Sequence, residues 1–85
     1  MQTQWRLGRG LPITAIYAWL ATCADGSQSI AVATVPVIDA KVPLVGADLA
    51  EVRAMRPFAE LHRLRTGCVV RLIRFNAAKG LEELP

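Results

Sequence analysis

Eighty-five residues with a formal net charge of +3 make one domain, near the lower limit of what buries a core without staples. An apolar content of 53% is high for so small a globule and predicts association with a second copy or another protein, because there is little interior to hold it. Two cysteines and one histidine are too few and too scattered for a structural zinc site, and the cysteine count is not that of a small disulfide scaffold, so Cys23 and Cys68 are expected as reduced thiols in a cytoplasmic protein.

Residues 1–12, MQTQWRLGRGLP, mix glycine, proline and basic groups and predict an irregular arm. From Ile13 the chain turns β-branched and aromatic. The apolar run Leu11 to Ala24 is shorter than the ~20 residues of a membrane span, so no membrane partner is expected. It carries one targeting alternative: Leu20-Ala21-Thr22-Cys23, preceded by Arg6 and Arg9, looks like the cleavage box of an exported lipoprotein anchored through Cys23.

Asp25-Gly26 between two apolar runs predicts a two-residue hairpin turn joining strands 13–23 and 28–35. In that register Ala21 opposes Ile30, Trp19 opposes Val32 and Tyr17 opposes Thr34. One face then carries Tyr17, Trp19, Ile30 and Val32, and the other carries alanines with Ile16, Leu20 and Val35. Pro36 ends the second strand, and the connection that follows holds a short edge strand around Val42 to Val45.

Asp48 with Glu51 three residues on is a helix-start signature. Leu49, Val52, Met55, Phe58, Leu61 and Leu64 recur every third residue, so their stripe slips by about 60° per step on a straight helix. Pro57 resolves this by breaking the span 48–65 into two short helices, 48–55 and 57–65, or one kinked helix. Gly67 supplies a left-handed stop. Residues 68–75 form the last strand, in which Arg71 and Arg74 point to opposite faces. The acidic tail 77–85 is expected as a loose helical turn or without structure. The expected fold is α+β: a largely antiparallel sheet of three to four strands, with the helices packed on one face, preferably the alanine-bearing one.

No glycine-rich phosphate loop, nucleophile elbow, cofactor motif or metal-ligand spacing is present, so catalytic, cofactor and metal residues are expected to be none. An enzyme would have to be assembled from Cys68 or Cys23 with His62. The leading expectation is a non-enzymatic interaction module, a homodimer pairing through the apolar sheet face of Tyr17, Trp19, Ile30 and Val32, or binding another protein by it. The alternative is a small basic nucleic-acid binder. Between Arg53 and Lys79 seven cations face Glu60 alone, and such a protein would use Arg53, Arg56, Arg63 and Arg65 with Arg6 and Arg9 of the arm.

Overall fold

Strand β1 (Ala15–Thr22), an eight-residue run dense in aromatic and apolar side chains, lies inside the sheet in the computed structural model, which describes residues 15–76 and 78–85. After it come β2 (Gln28–Ile30), β3 (Val32–Val35), β4 (Ala40–Pro43), β5 (Val45–Gly46), helices α1 (Leu49–Ala54) and α2 (Arg56–Thr66), then β6 (Val69–Asn76) and β7 (Gly80–Glu83). Among the described residues the main sheet has five strands in the order β2-β1-β6-β7, with β5 also paired to β1; β3 and β4 form a separate two-stranded ribbon. Every pairing is antiparallel, and both helices pack on one sheet face, as the α+β reading expects. The arm expected over 1–12 lies outside the described residues.

The first hairpin departs from its expected register by one residue. Its loop has three residues, not two: the Gly26 N–H donates to the Cys23 carbonyl, and the Cys23 N–H donates to the Ser27 carbonyl. Gly26 takes φ +87, which a glycine adopts without strain, whereas Asp25 avoids the positive φ that the two-residue turn requires. The Asp25 carboxylate instead accepts from the Ser27 hydroxyl (2.7 Å) and N–H (2.9 Å), and these donors, the hydroxyl first, hold its carboxyl below the usual carboxylate range. That support for the turn is present at neutral pH and lost as pH falls into the acid range.

Leu20 therefore opposes Ile30, and Ala21 opposes Ser29. Because side chains alternate, a slip of one residue carries Ile30 from the Trp19 face to the opposite face.

The expected second strand 28–35 also divides. Fully buried Ala31 donates its N–H to the Trp19 carbonyl (2.8 Å) and accepts from the Leu44 N–H (2.9 Å), after which the chain leaves β1. β3 pairs with β4 (Thr34 opposite Lys41, Ala33 opposite Val42) around a Pro36–Asp39 turn in which Asp39 has φ 49. The chain then returns, and β5 takes the place beside β1 that β2 vacated, with Gly46 opposite Tyr17 and Val45 opposite Ala18.

The helices follow their sequence signals. Asp48 Oδ1 accepts from the N–H groups of Ala50 (2.9 Å) and Glu51 (3.4 Å), and Met55 separates α1 from α2. Pro57 sits in the first turn of α2, where a backbone N–H has no partner to lose. Gly67 closes α2 at φ 72, donating to the Arg63 carbonyl (2.8 Å).

The helices pack on the Trp19 face and not on the alanine face, the reverse of the expectation. Trp19, 4% exposed, packs with Ala31, Leu44, Val52, Ala59 and Leu72, with Tyr17 and Leu49 against them. Its indole N–H donates to the Val52 carbonyl at 2.7 Å, a buried bond that seats α1 on the sheet. Close approach is secured by size: a side chain at Gly46 would meet Val52 at 3.2 Å. Bulk at Trp19 and smallness in the elements above it fill this core better than alanine against helix would.

Two features of the C-terminal third were not expected. Cys23 and Cys68, one step beyond the Thr22/Val69 pair, face each other with Cα atoms 4.3 Å apart and are joined by a disulfide. This replaces the reduced thiols expected from the cysteine count. It closes a loop of 45 residues, which in the chain-entropy account is worth about 4 kcal/mol. The tail is also a strand: β7 pairs with β6, Glu82 opposite Arg74 and Glu83 opposite Ile73. Asn76 Oδ1 accepts from the Ala78 and Lys79 N–H groups to shape the turn, and Leu84 reaches the core.

The Trp19 contacts predict a graded loss of stability. Trp19→Ala should cost about 3–5 kcal/mol, enough to unfold many domains of this size. Trp19→Phe should cost about 1–2 kcal/mol, mainly the lost indole bond. Urea unfolding followed by circular dichroism measures both, and wild-type stability in Trp19→Phe would show that the bond to Val52 does not hold α1.

Candidate interaction surface

With the helices on one side, the other face of the sheet is described by register. β1 contributes Ile16, Ala18, Leu20 and Thr22; β6 contributes Val69, Arg71, Ile73 and Phe75 opposite them. Ile30 extends the face from β2, and Leu81 and Glu83 extend it from β7. Neither helix covers it, yet Ala18 (3% exposed) and Ile73 (8%), paired at its centre, are buried. Ile30 (37%) and Val69 (51%) are exposed toward one end of the face, and Phe75 (47%) with its cross-strand neighbour Leu81 (60%) at the other. The face is not uniformly apolar. Arg71 Nε lies 3.8 Å from Glu83 Oε1, a diagonal cross-strand pair set among those side chains.

The four residues expected to form one apolar face are separated. Tyr17 and Trp19 lie under the helices, Ile30 lies on the open face, and Val32 opens the β3–β4 ribbon beside α2, its N–H donating to His62 Nδ1 (3.4 Å). Val69, Phe75 and Leu81 take their place on the open face. They could be seen in the sequence as members of an apolar strand and tail, but the side they face depends on which strands pair.

The arginines are distributed, not pooled. Arg56 stacks over the Trp19 ring at 5.0 Å, and Arg63 is bound to Glu60 at 3.0 Å. Seven residues apart, these two share a flank of α2 to within about 20°, whereas Arg65 lies about 160° round the helix from Arg63. Arg53 is exposed on α1. Arg74 meets Glu82 across β6 and β7, and Arg71 meets Glu83, so both strand arginines find carboxylates in the tail. Arg6 and Arg9 lie outside the described residues. Among the described residues, then, the four helix arginines do not form one cationic strip.

The groups considered for catalysis are engaged elsewhere. Cys68 and Cys23 are bonded to each other, and His62 Nδ1 accepts the Val32 N–H. Among the described residues no cluster of three or more His, Cys, Asp or Glu side chains is placed to hold a metal ion. No described helix is long and apolar enough to cross a membrane. Comparison with protein-family models, curated proteins and solved structures gives no match to this chain.

The Arg74–Glu82 pair predicts a local effect. Both side chains are more than a third exposed, so Arg74→Gln should cost no more than about 0.5–1 kcal/mol globally. It should hasten amide hydrogen exchange in β7 and at Leu84 several-fold. Unchanged exchange there would mean that the ladder and the Leu84 contact alone hold the tail.

Proposed function

We propose that the protein is a non-enzymatic interaction module that pairs with a second copy of itself through the open face of its sheet. The observation that carries this reading is the exposure of the neighbours Phe75 and Leu81 at one end of this face and of Ile30 and Val69 toward the other, on the side of the sheet that neither helix occupies. A flat apolar face suits sheet-to-sheet packing, in which two inner faces interdigitate. Its charges suit a two-fold arrangement: Arg71 and Glu83 carry opposite signs on neighbouring strands, so each copy offers both a cation and a carboxylate to the other. Association through strand edges is less favoured, because the outer strands β2 and β7 are only three and four residues long. The nucleic-acid reading loses support from the separation of Arg56 and Arg63 from Arg65.

The disulfide supports a revised compartment. Such bonds persist where the surroundings are oxidising, so we place the protein outside a reducing cytoplasm. Lipid attachment at Cys23 is disfavoured, since that sulfur is bonded to Cys68 and cleavage before it would remove β1 from the sheet.

Two measurements test these readings. Sedimentation equilibrium should show a dimer that Leu81→Lys and Phe75→Glu each convert to monomer, with Trp19 fluorescence unchanged. A wild-type monomer at several hundred micromolar, where an association worth more than about 5 kcal/mol is visible, would overturn the dimer. Alkylation of protein taken from its host without reductant should find no free thiol. Two free thiols would return it to a reducing compartment.

A further inference from the structure

On the helix side of the sheet, away from the open face, the β3–β4 ribbon and α2 enclose a groove of about 240 Å³. Thr34 and Lys41, directly opposite each other on the ribbon, form one side; Phe58, Leu61, His62 and Arg65 of α2 form the other. The sequence offers no hint of this arrangement, because Lys41 and Arg65 are 24 positions apart and belong to a ribbon and a helix that meet only in the fold.

The polar chemistry of the groove is one-sided. Lys41 and Arg65 line it together, and no carboxylate does. Among the described residues neither cation makes an ion pair or a side-chain hydrogen bond; Glu60 holds Arg63, Asp48 caps α1, and Asp39, two positions from Lys41, does not line the groove. His62 adds a donor. Its Nδ1 accepts the Val32 N–H, so the neutral ring carries its proton on Nε2. The Thr66 hydroxyl, which also lines the groove, is already donated to the His62 carbonyl.

Two cations brought to one concave site without a counter-charge repel each other unless an anion lies between them. Arg65 gains something from the negative end of α2, but this applies to any cation in the last turn and does not account for Lys41. The remaining walls are apolar and exposed. Phe58 and Leu61 face the groove while Ala59 takes the buried position on α2, so the helix turns large apolar side chains toward the groove and a small one toward the core.

We propose that this groove binds a small organic anion: a carboxylate or phosphate held by Lys41, Arg65 and the His62 Nε2–H, with an aromatic or branched apolar body against Phe58 and Leu61. Its volume lies just below the range of sites for drug-sized ligands, which fits a single ring bearing one charged group. Neither part suffices alone, since an exposed anion contact is screened by salt and the apolar walls are shallow.

The test is an NMR titration of the whole chain with four probes: phenyl phosphate, phenylacetate, inorganic phosphate and benzyl alcohol. Saturable shifts are expected at His62, Thr34 and Arg65 for one or both aromatic anions, with the stronger of the two naming the charged group. Inorganic phosphate and benzyl alcohol should bind at least about 10-fold more weakly, the worth of one charge-assisted hydrogen bond. Arg65→Gln and Lys41→Gln, both at exposed positions, should each weaken the aromatic anion by about 10-fold with an unchanged melting temperature. Leu64→Ala, on the same helix but outside the groove, should not weaken it. Equal binding of benzyl alcohol, shifts that do not saturate, or full affinity in both charge variants would overturn the proposal. Should one charge variant prove unstable, the other decides.

Discussion

Trp19 is the point at which every layer of this fold meets. Its N–H donates to Leu44 (3.0 Å) and its carbonyl accepts from Ala31, so one residue bonds both the stretch leaving β1 and the stretch returning to it. Its indole holds Val52 of α1, and Arg56 of α2 lies over its ring. The chain between Ala31 and Leu44 has no place left along β1, and it extends outward as the β3–β4 ribbon. The position of that ribbon beside α2 follows from how Trp19 is shared. Burying an indole is worth roughly 4–6 kcal/mol by area, comparable with the whole net stability of a small domain.

Local signals in the sequence were legible where their chemistry is local. Asp48 with Glu51 marked a helix start, Pro57 marked the break between helices and Gly67 marked their end, because capping, ring closure and positive φ act within one turn of chain. The strand after Gly67 was legible for the same reason. The hairpin was legible as a hairpin but not in register, since Asp25-Gly26 is compatible with both a two-residue loop and a three-residue loop closed by Gly26. The Asp25 carboxylate on Ser27 accompanies the second form. That one-residue difference decided which face Ile30 joins.

Other misreadings share a different cause: they depend on which distant elements pair. Cys23 and Cys68 are 45 residues apart, and only the β1/β6 register sets them face to face. Glu82 and Glu83 read as a solvated acidic end until β7 lies beside β6, where they become the partners that Arg74 and Arg71 require. That the sheet has a second face with apolar side chains was legible in kind. Its membership was not, because the helices choose a face by volume: bulky Trp19 fills the space beneath Val52 and Ala59, and alanine cannot.

The same choice places the two proposed surfaces on opposite sides of the molecule. The helices and the groove occupy the Trp19 side, and the apolar face occupies the other, so pairing of two copies by that face leaves both grooves open. The charge distribution fits this division. On the open face Arg71 has Glu83, whereas in the groove Lys41 and Arg65 have no ion-pair partner among the described residues, so that charge lies away from the surface that pairing would dehydrate. A dimer of this kind presents two anion sites on one rigid body. A partner carrying two suitably spaced anionic groups would then be held more tightly than either group alone, without any further contact from the protein.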